Sequence, residues 1–223
     1  DFSCIRKIAV LGISSFVMSF TDSLVQVASN ATLRMFGGDI YVSVMTVINS
    51  VRQIAQTPVM AVTDGASPAI SYNYGAAVYG RVCAAIRFMT QLSFGYTLLI
   101  WALISAFPAA FIMIFNHDAE LVAAAVPALH IYFFGFVMMA FQFSGQCVFK
   151  SLNKARLAVF FTLLRKAFIV VPLTLLLPHI GGLGVNGVFL AEPVSNLVGG
   201  LACYITMRLT VMPELKRLPS QNT

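Results

Sequence analysis

The acidic and polar side chains near the start of the chain recur at helical spacing within an apolar segment. Asp22 lies at the centre of this series: Ser15, Ser19, Asp22, Gln26 and Asn30. Intervals of three and four residues place all five on one face of a helix. A carboxylate on such a face can bind a proton or a cation, so we predict that Asp22 is an ion-coupling residue.

Further polar side chains interrupt three other apolar segments. A second acid, Glu192, directly precedes Pro193, and we predict that it also takes part in proton or cation binding. Proline inside a helix frees a backbone carbonyl and bends the helix, which favours a position facing protein or water. The residues that we predict to line a cavity with these two acids are Ser19, Gln26, Asn30, Asn49, Arg52, Gln53, Gln56, Gln142 and Gln146.

The elements that must position these residues are membrane-spanning helices. Only 10% of the 223 residues are charged and 59% are hydrophobic, whereas soluble domains carry about 25% charged residues. The net charge of +6 is divided into small groups between apolar runs, which is typical of loops at a membrane surface and not of a nucleic-acid-binding surface. Composition therefore predicts an all-α membrane protein.

Six segments are long enough to cross a bilayer, which takes about 20 apolar residues. We predict a six-helix transmembrane unit over residues 1–212 and a cytoplasmic tail over residues 213–223. The predicted helices are 8–36, 40–72, 82–115, 121–149, 156–178 and 183–209.

The distribution of Lys and Arg predicts the orientation of these helices. With six spans, twelve of the 14 basic residues fall on the side of the N-terminus. The positive-inside rule places that side in the cytoplasm, so both termini are expected there. Arg165 and Lys166 belong to this group, and we interpret them as anchors at the cytoplasmic membrane surface.

The predicted depths bring Asp22 and Arg52 to the middle of the membrane. Asp22 lies about 21 Å into the first helix and Arg52 about 18 Å into the second. The two side chains could pair with each other or line one aqueous cavity. The uncharged polar residues could equally form hydrogen bonds between helices. For Asp22 a functional role is favoured, because an ionised side chain in the membrane is costly.

Enzymatic and metal-binding motifs are absent from the sequence. No nucleophile elbow, zinc-protease pair or phosphate-binding loop occurs, so we expect no enzymatic activity. The four cysteines and three histidines are scattered, and we expect no disulfide, no metal site and no cofactor.

A series of short motifs resembles the multidrug and toxin extrusion (MATE) family. The matching residues are Pro58-Val59-Met60, Gly65-Ala66-Ser67-Pro68, Tyr72-Asn73-Tyr74-Gly75-Ala76, Ser151-Leu152-Asn153-Lys154-Ala155, Arg165, Pro172, Pro178, Gly184-Val185-Asn186-Gly187-Val188 and Ala191-Glu192-Pro193. Members have two six-helix lobes around a central cavity. The likeness is to the second lobe, which implies that an N-terminal six-helix lobe is a missing partner.

The resemblance implies multidrug efflux by secondary active antiport across the inner (plasma) membrane. Family members export organic cations and other drugs in exchange for H+ or Na+. Many have an acid in the first helix of the second lobe, about where Asp22 lies, and bacterial members often have the pair Glu192-Pro193. The acid that some sodium-coupled members need in the fourth helix is missing here, so H+ is the expected coupling ion in preference to Na+.

Two alternatives remain at this stage. One is a flippase of the wider superfamily, whose cavity would need a basic lining for a lipid-linked pyrophosphate. Arg52 is the only deep basic residue predicted from the sequence. The other is an inactive, truncated half-transporter that folds in the membrane without moving a substrate.

Overall fold

The computed structural model describes the backbone of residues 2–217 and the side chains of residues 20–217 apart from residue 155. The described residues are almost all helical and include no strand, which confirms the all-helical fold class. The helices are α1 (Phe2–Gly37), α2 (Asp39–Gly75), α3 (Tyr79–Ala106), α4 (Pro108–Met113), α5 (Ala119–Phe133), α6 (Met139–Ser151), α7 (Ala155–Leu163), α8 (Val171–Leu176), α9 (Val185–Ser195) and α10 (Leu201–Arg217).

Short irregular segments connect several of these helices. Two π-helical segments, π1 (Leu164–Val170) and π2 (Asn196–Gly200), join α7 to α8 and α9 to α10. Single 3-10 turns cover Phe136–Met138, before α6, and Leu177–His179, after α8. π-Helical turns are rare and often occur at functional sites, so their positions direct attention to the second half of the chain.

The predicted apolar segments coincide with helical stretches, but the number of membrane crossings and their orientation remain predictions. Among the described residues, three stretches are long and apolar enough to cross a membrane: 79–106, 156–179 and 185–217. The pair α5 and α6, bent by 44°, would be a fourth if it forms one span. Helix α2 is not among them, because its polar side chains lower its hydropathy.

Helix α2 is the centre of the packing and contributes to two clusters of buried apolar residues. Its first half packs with α5 and α9, where Ile48, Leu129 and Phe189 are fully buried. Its second half shares the other cluster with α3, α6 and α10. Within a bilayer such contacts stabilise the fold mainly by van der Waals packing, so the path of α2 fixes where its polar residues lie.

Large apolar side chains cover much of the outer surface. Met35, Phe88 and Phe168 are each more than two thirds exposed, and further exposed leucines and phenylalanines occur on most helices. An exposed apolar surface of this extent is unusual for a soluble protein. It agrees with a protein that contacts lipid.

The junction of α5 and α6 packs tightly against α9 and π2. A Cβ atom added to Gly135 would lie 2.5 Å from the carbonyl oxygen of Pro193, and one added to Gly200 would lie 2.8 Å from that of Met138. Contacts this short exclude any side chain at either position. The break between α5 and α6 is therefore in close contact with α9 and π2, beside Glu192.

Candidate functional site

A cavity of about 380 Å³ lies between the first two helices and the helices from α5 to α9. Its lining combines polar, charged and apolar side chains, with Met and Phe among the apolar ones. The polar and charged residues that line it are Asp22, Gln26, Ser29, Asn49, Arg52, Gln56, Tyr132, Gln142, Gln146, Lys150, Thr162, Arg165, Lys166, Thr174 and Glu192. A concave site with this mixture is suited to an amphiphilic organic molecule.

Glu192 is the centre of a buried charge cluster. Its Oε1 atom accepts hydrogen bonds from Nη1 of Arg52 at 3.1 Å and from Nη1 of Arg165 at 2.9 Å. The Arg165 Nη1 also donates to Oδ1 of Asn196 at 2.6 Å. The side chains of Glu192 and Arg165 are less than one tenth exposed. Charges removed from solvent need such partners, so we call these four residues the Glu192 cluster and regard it as a fixed part of the cavity wall.

Local helix geometry explains how the Glu192 cluster forms. Glu192 lies about one helical turn before Asn196. Both side chains contact Arg165 of π1, Glu192 from α9 and Asn196 from the adjoining segment π2. Arg165 belongs to π1, and its stem passes over Gly199, where an added Cβ would lie 2.9 Å from its Cγ. The absence of a side chain at Gly199 thus gives Arg165 access to the acid.

A second carboxylate, Asp22, has a different environment on the same cavity wall. It forms an ion pair with Lys166, which follows Arg165 in π1. The Asp22 side chain is 55% exposed, whereas that of Lys166 is 15% exposed. A carboxylate with one flexible partner and more than half of its surface uncovered can exchange that partner. We call this contact the Asp22–Lys166 pair.

Uncharged polar side chains link α1, α2 and α5 along the cavity. The Tyr132 hydroxyl donates to Oδ1 of Asn49 at 3.4 Å, and Nδ2 of Asn49 donates to Oε1 of Gln26 at 3.4 Å. Gln26 in turn donates to Oδ1 of Asn30 at 3.3 Å. These distances are at the long end for hydrogen bonds, so a bound molecule can replace the contacts at low cost.

Other polar atoms on the wall have no hydrogen-bond partner among the described residues. They include Oε1 of Gln142 and Oγ1 of Thr174, both buried, and the Nε atoms of Arg52 and Arg165. Buried polar groups normally have partners. Because these atoms are themselves buried, they reach water or a ligand in the cavity only when their side chains shift.

The family profile described as MatE matches residues 14–176, which is more than half of the chain. The chain belongs to the MatE family. Proteins of this family are transporters embedded in membranes. Among curated protein sequences, none matches this MatE chain significantly.

Solved structures of MATE transporters share the fold of this MatE chain. An outward-facing multidrug resistance MATE transporter of the MOP superfamily matches with a TM-score of 0.87 and 18% identity, over 97% of this chain and 48% of its own. The multidrug transporter DinF-BH, solved in complex with R6G, matches with a TM-score of 0.79 and 29% identity, over 93% of this chain and 46% of its own. The MatE chain therefore spans about half the length of these transporters.

A third match is to a MOP superfamily transporter from Pyrococcus furiosus. It has a TM-score of 0.86 and 17% identity, over 97% of this chain and 48% of its own, and is described as having a binding pocket of reverse polarity that suggests a different function. At this identity the likeness concerns the fold alone.

Eight of the residues predicted as site residues meet in the cavity of the MatE chain: Asp22, Gln26, Asn49, Arg52, Gln56, Gln142, Gln146 and Glu192. Asn30 adjoins them through its hydrogen bond to Gln26. Gln53 is exposed and is not part of the lining, although its spacing from Asn49 and Gln56 places it at the edge of the same helix face. Ser19 lies outside the described side chains. The roles assigned to all these residues remain predictions.

Asp22 and Arg52 line one cavity without pairing directly. Among the described residues, Asp22 pairs with Lys166, and Arg52 pairs with Glu192. Of the two alternatives open from the sequence, the structure thus gives the shared cavity, with each charge neutralised by a residue from the second half of the chain.

The interpretation of Arg165 and Lys166 as surface anchors was wrong. Both side chains line the cavity, and Arg165 is buried against Glu192. A signal was present in the sequence, because a buried Glu192 requires a basic partner. Adjacent Arg and Lys residues near a predicted helix end were instead explained by their short distance to the membrane surface.

Proposed function

We propose that this chain is the C-terminal lobe of a secondary active antiporter that exports lipophilic organic cations in exchange for H+. The observation that carries the proposal is Asp22, a half-exposed carboxylate on the wall of a mixed polar and apolar cavity. The family assignment and the R6G complex of the related DinF-BH transporter support the choice of a drug-like substrate. The inner (plasma) membrane is the proposed location.

In this proposal Asp22 binds a proton or the substrate, but not both at once. Ionised Asp22 attracts a cation that enters from the cytoplasm, while Met and Phe side chains contact its apolar part. Protonation from outside neutralises the carboxylate and releases the cation. The cycle requires that proton and substrate prefer different conformations of the carrier, since a ligand with equal affinity for both shifts nothing.

H+ is the proposed coupling ion in preference to Na+. A single carboxylate is sufficient to bind a proton, whereas the two acids of this cavity already have ammonium or guanidinium partners that repel a metal ion. The proposed partners are a small organic cation, the lipid bilayer and the N-terminal lobe, which completes the cavity from the other side.

The test is efflux of ethidium from cells that express this chain with a complementary first lobe. Efflux should require both the partner lobe and an intact proton gradient, and Asp22→Asn should abolish it without reducing the amount of protein in the membrane. Asp39→Asn is the matched control, because Asp39 is an exposed acid paired with Arg34 outside the cavity. Gradient-driven efflux that persists in Asp22→Asn would contradict the proposal.

A second candidate function is a carrier for an anionic or lipid-linked substrate. Four basic and two acidic side chains line the cavity, which leaves a surplus of two positive charges on this lobe. Lys150, Arg165 and Lys166 thus supply part of the basic lining that seemed to be missing from the sequence. Transport of a fluorescent anionic amphiphile, but not of ethidium, by the two-lobe carrier would favour this candidate over the first.

A further inference from the structure

The Asp22–Lys166 pair joins two neighbouring elements that both contribute to the cavity lining. Helix α1 carries Asp22 and packs against π1, which carries Lys166, and against α8. Both side chains line the cavity. The contact between them therefore occupies the carboxylate to which the proposed mechanism assigns the substrate.

The charges around Lys166 leave no negative charge free for a cationic ligand. The charged groups that interact with it are Asp22 on α1, Arg52 on α2, Glu192 on α9 and its neighbour Arg165. Glu192 already accepts from both arginines. With Lys166 in place, these five groups have a net positive charge, which repels an incoming cation.

The two acids differ in how much of the side chain is accessible to a competing cation. Glu192 is held by two guanidinium groups, and its side chain is 8% exposed. Asp22 has one ionic partner among the described residues, and more than half of its side chain is exposed. Lysine is a point charge on a flexible stem, unlike the rigid fork of arginine, so its ammonium can move away from Asp22 while the rest of π1 stays fixed.

We infer that Lys166 is a built-in competitor of the substrate: its ammonium occupies Asp22 in the empty carrier, and a cationic substrate binds by displacing it. When the substrate leaves, Lys166 pairs with Asp22 again and prevents the substrate from rebinding. The inference rests on the proposed function, because it assumes that Asp22 binds a cation. In this inference Asp22 binds the ligand, and Lys166 sets its affinity and its rate of release.

Removal of the competitor should tighten substrate binding. In Lys166→Gln the carboxylate is free, and the dissociation constant for ethidium should fall about fivefold, the effect expected for an ion pair with one largely exposed partner. Release should slow by a similar factor. Lys166→Arg keeps a cation at this position and should not tighten ethidium binding, which separates the effect of removing the charge from that of changing the side chain.

The experiment measures ethidium binding by fluorescence on the purified two-lobe carrier. It compares the wild type with Lys166→Gln and with Lys154→Gln, the matched control, whose partner Glu214 lies outside the cavity. Lys166→Met serves as a second neutral variant if Lys166→Gln is not recovered folded. In the Asp22→Asn background, Lys166→Gln should no longer tighten binding, because the coupling between the two residues is absent.

The outcomes separate this inference from the proposed function. Tighter binding in Lys166→Gln, lost in the Asp22→Asn background, supports both. If the wild type binds ethidium but Lys166→Gln binds it equally or more weakly, the competitor role is overturned and the cation site stands. If the wild type does not bind ethidium at all, the proposed function itself fails, and the inference fails with it.

Discussion

Glu192 and Asp22 are two carboxylates on one cavity wall, and their surroundings differ in almost every respect. Glu192 is buried, and one of its oxygens accepts from two arginines, one of which also contacts Asn196. Asp22 is half exposed and pairs with one lysine. Removing a partner from a buried ion pair is costly, whereas an exposed pair contributes little. From this difference we expect Glu192 to be part of the framework and Asp22 to be the acid that exchanges its partner for a ligand.

The helices that carry the two acids differ in the regularity of their backbone. Asp22 lies within α1, a continuous helix of 36 residues. Glu192 lies where Pro193, π2, π1 and the Gly135 break meet. Irregular backbone in a membrane protein is tolerated where protein or a polar cavity satisfies it. The irregular region thus holds a fixed charge cluster, and the regular helix presents the exchangeable acid.

The largest expected effect is a loss of stability when Glu192 is replaced. Glu192→Gln leaves the buried Arg165 and the 20% exposed Arg52 without a counter-charge, and breaking a buried pair in this way costs about 3–5 kcal/mol. Asp22→Asn removes the half-exposed acid of a pair whose lysine is 15% exposed, so it should cost less than Glu192→Gln, about 1 kcal/mol. Thermal unfolding of the purified carrier, followed by size-exclusion chromatography, measures both.

The unfolding temperatures of the two variants can contradict these expectations in two ways. If Glu192→Gln unfolds at the same temperature as the wild type, the Glu192 cluster is not part of the framework. If Asp22→Asn is the less stable of the two, the roles of the acids are reversed.

A smaller effect is expected from crowding the stem of Arg165. The Cβ of Gly199→Ala would lie 2.9 Å from Cγ of Arg165, so the arginine must shift away from Glu192. Overpacking of this kind costs about 1–3 kcal/mol. The same unfolding measurement applies, with Gly65→Ala as the control, because nothing lies within 4 Å of a Cβ added to Gly65 in α2. If Gly199→Ala is as stable as Gly65→Ala, Arg165 can contact Glu192 without passing over position 199.

Periodicity and composition were sufficient to predict the helical fold and much of the cavity lining. The series through Asp22 and Gln26 was recognised because polar residues at helical spacing are conspicuous in an apolar sequence. Asn49, Arg52 and Gln56 were found in the same way, and the structure places all five around one cavity.

The partners of the two acids could not be predicted, because pairing depends on how distant segments pack. Arg165 is 27 residues from Glu192 along the chain, and Arg52 is 140 residues from it. Depth in the membrane was calculated for regular helices, which gives no information on π1. This segment turns Arg165 and Lys166 towards the cavity instead of the membrane surface.

The smallest expected effect tests the edge of the cavity on α2. Gln56 lines the cavity, whereas Gln53, three residues earlier, is exposed and outside it. Gln56→Ala removes an amide that can bind the substrate, and a lost hydrogen bond of about 1 kcal/mol raises the dissociation constant for ethidium about fivefold. Gln53→Ala should have a smaller effect in the same fluorescence titration. Equal effects would mean that the substrate also contacts Gln53, and the cavity would then have to extend along α2 beyond the residues that line it in this lobe.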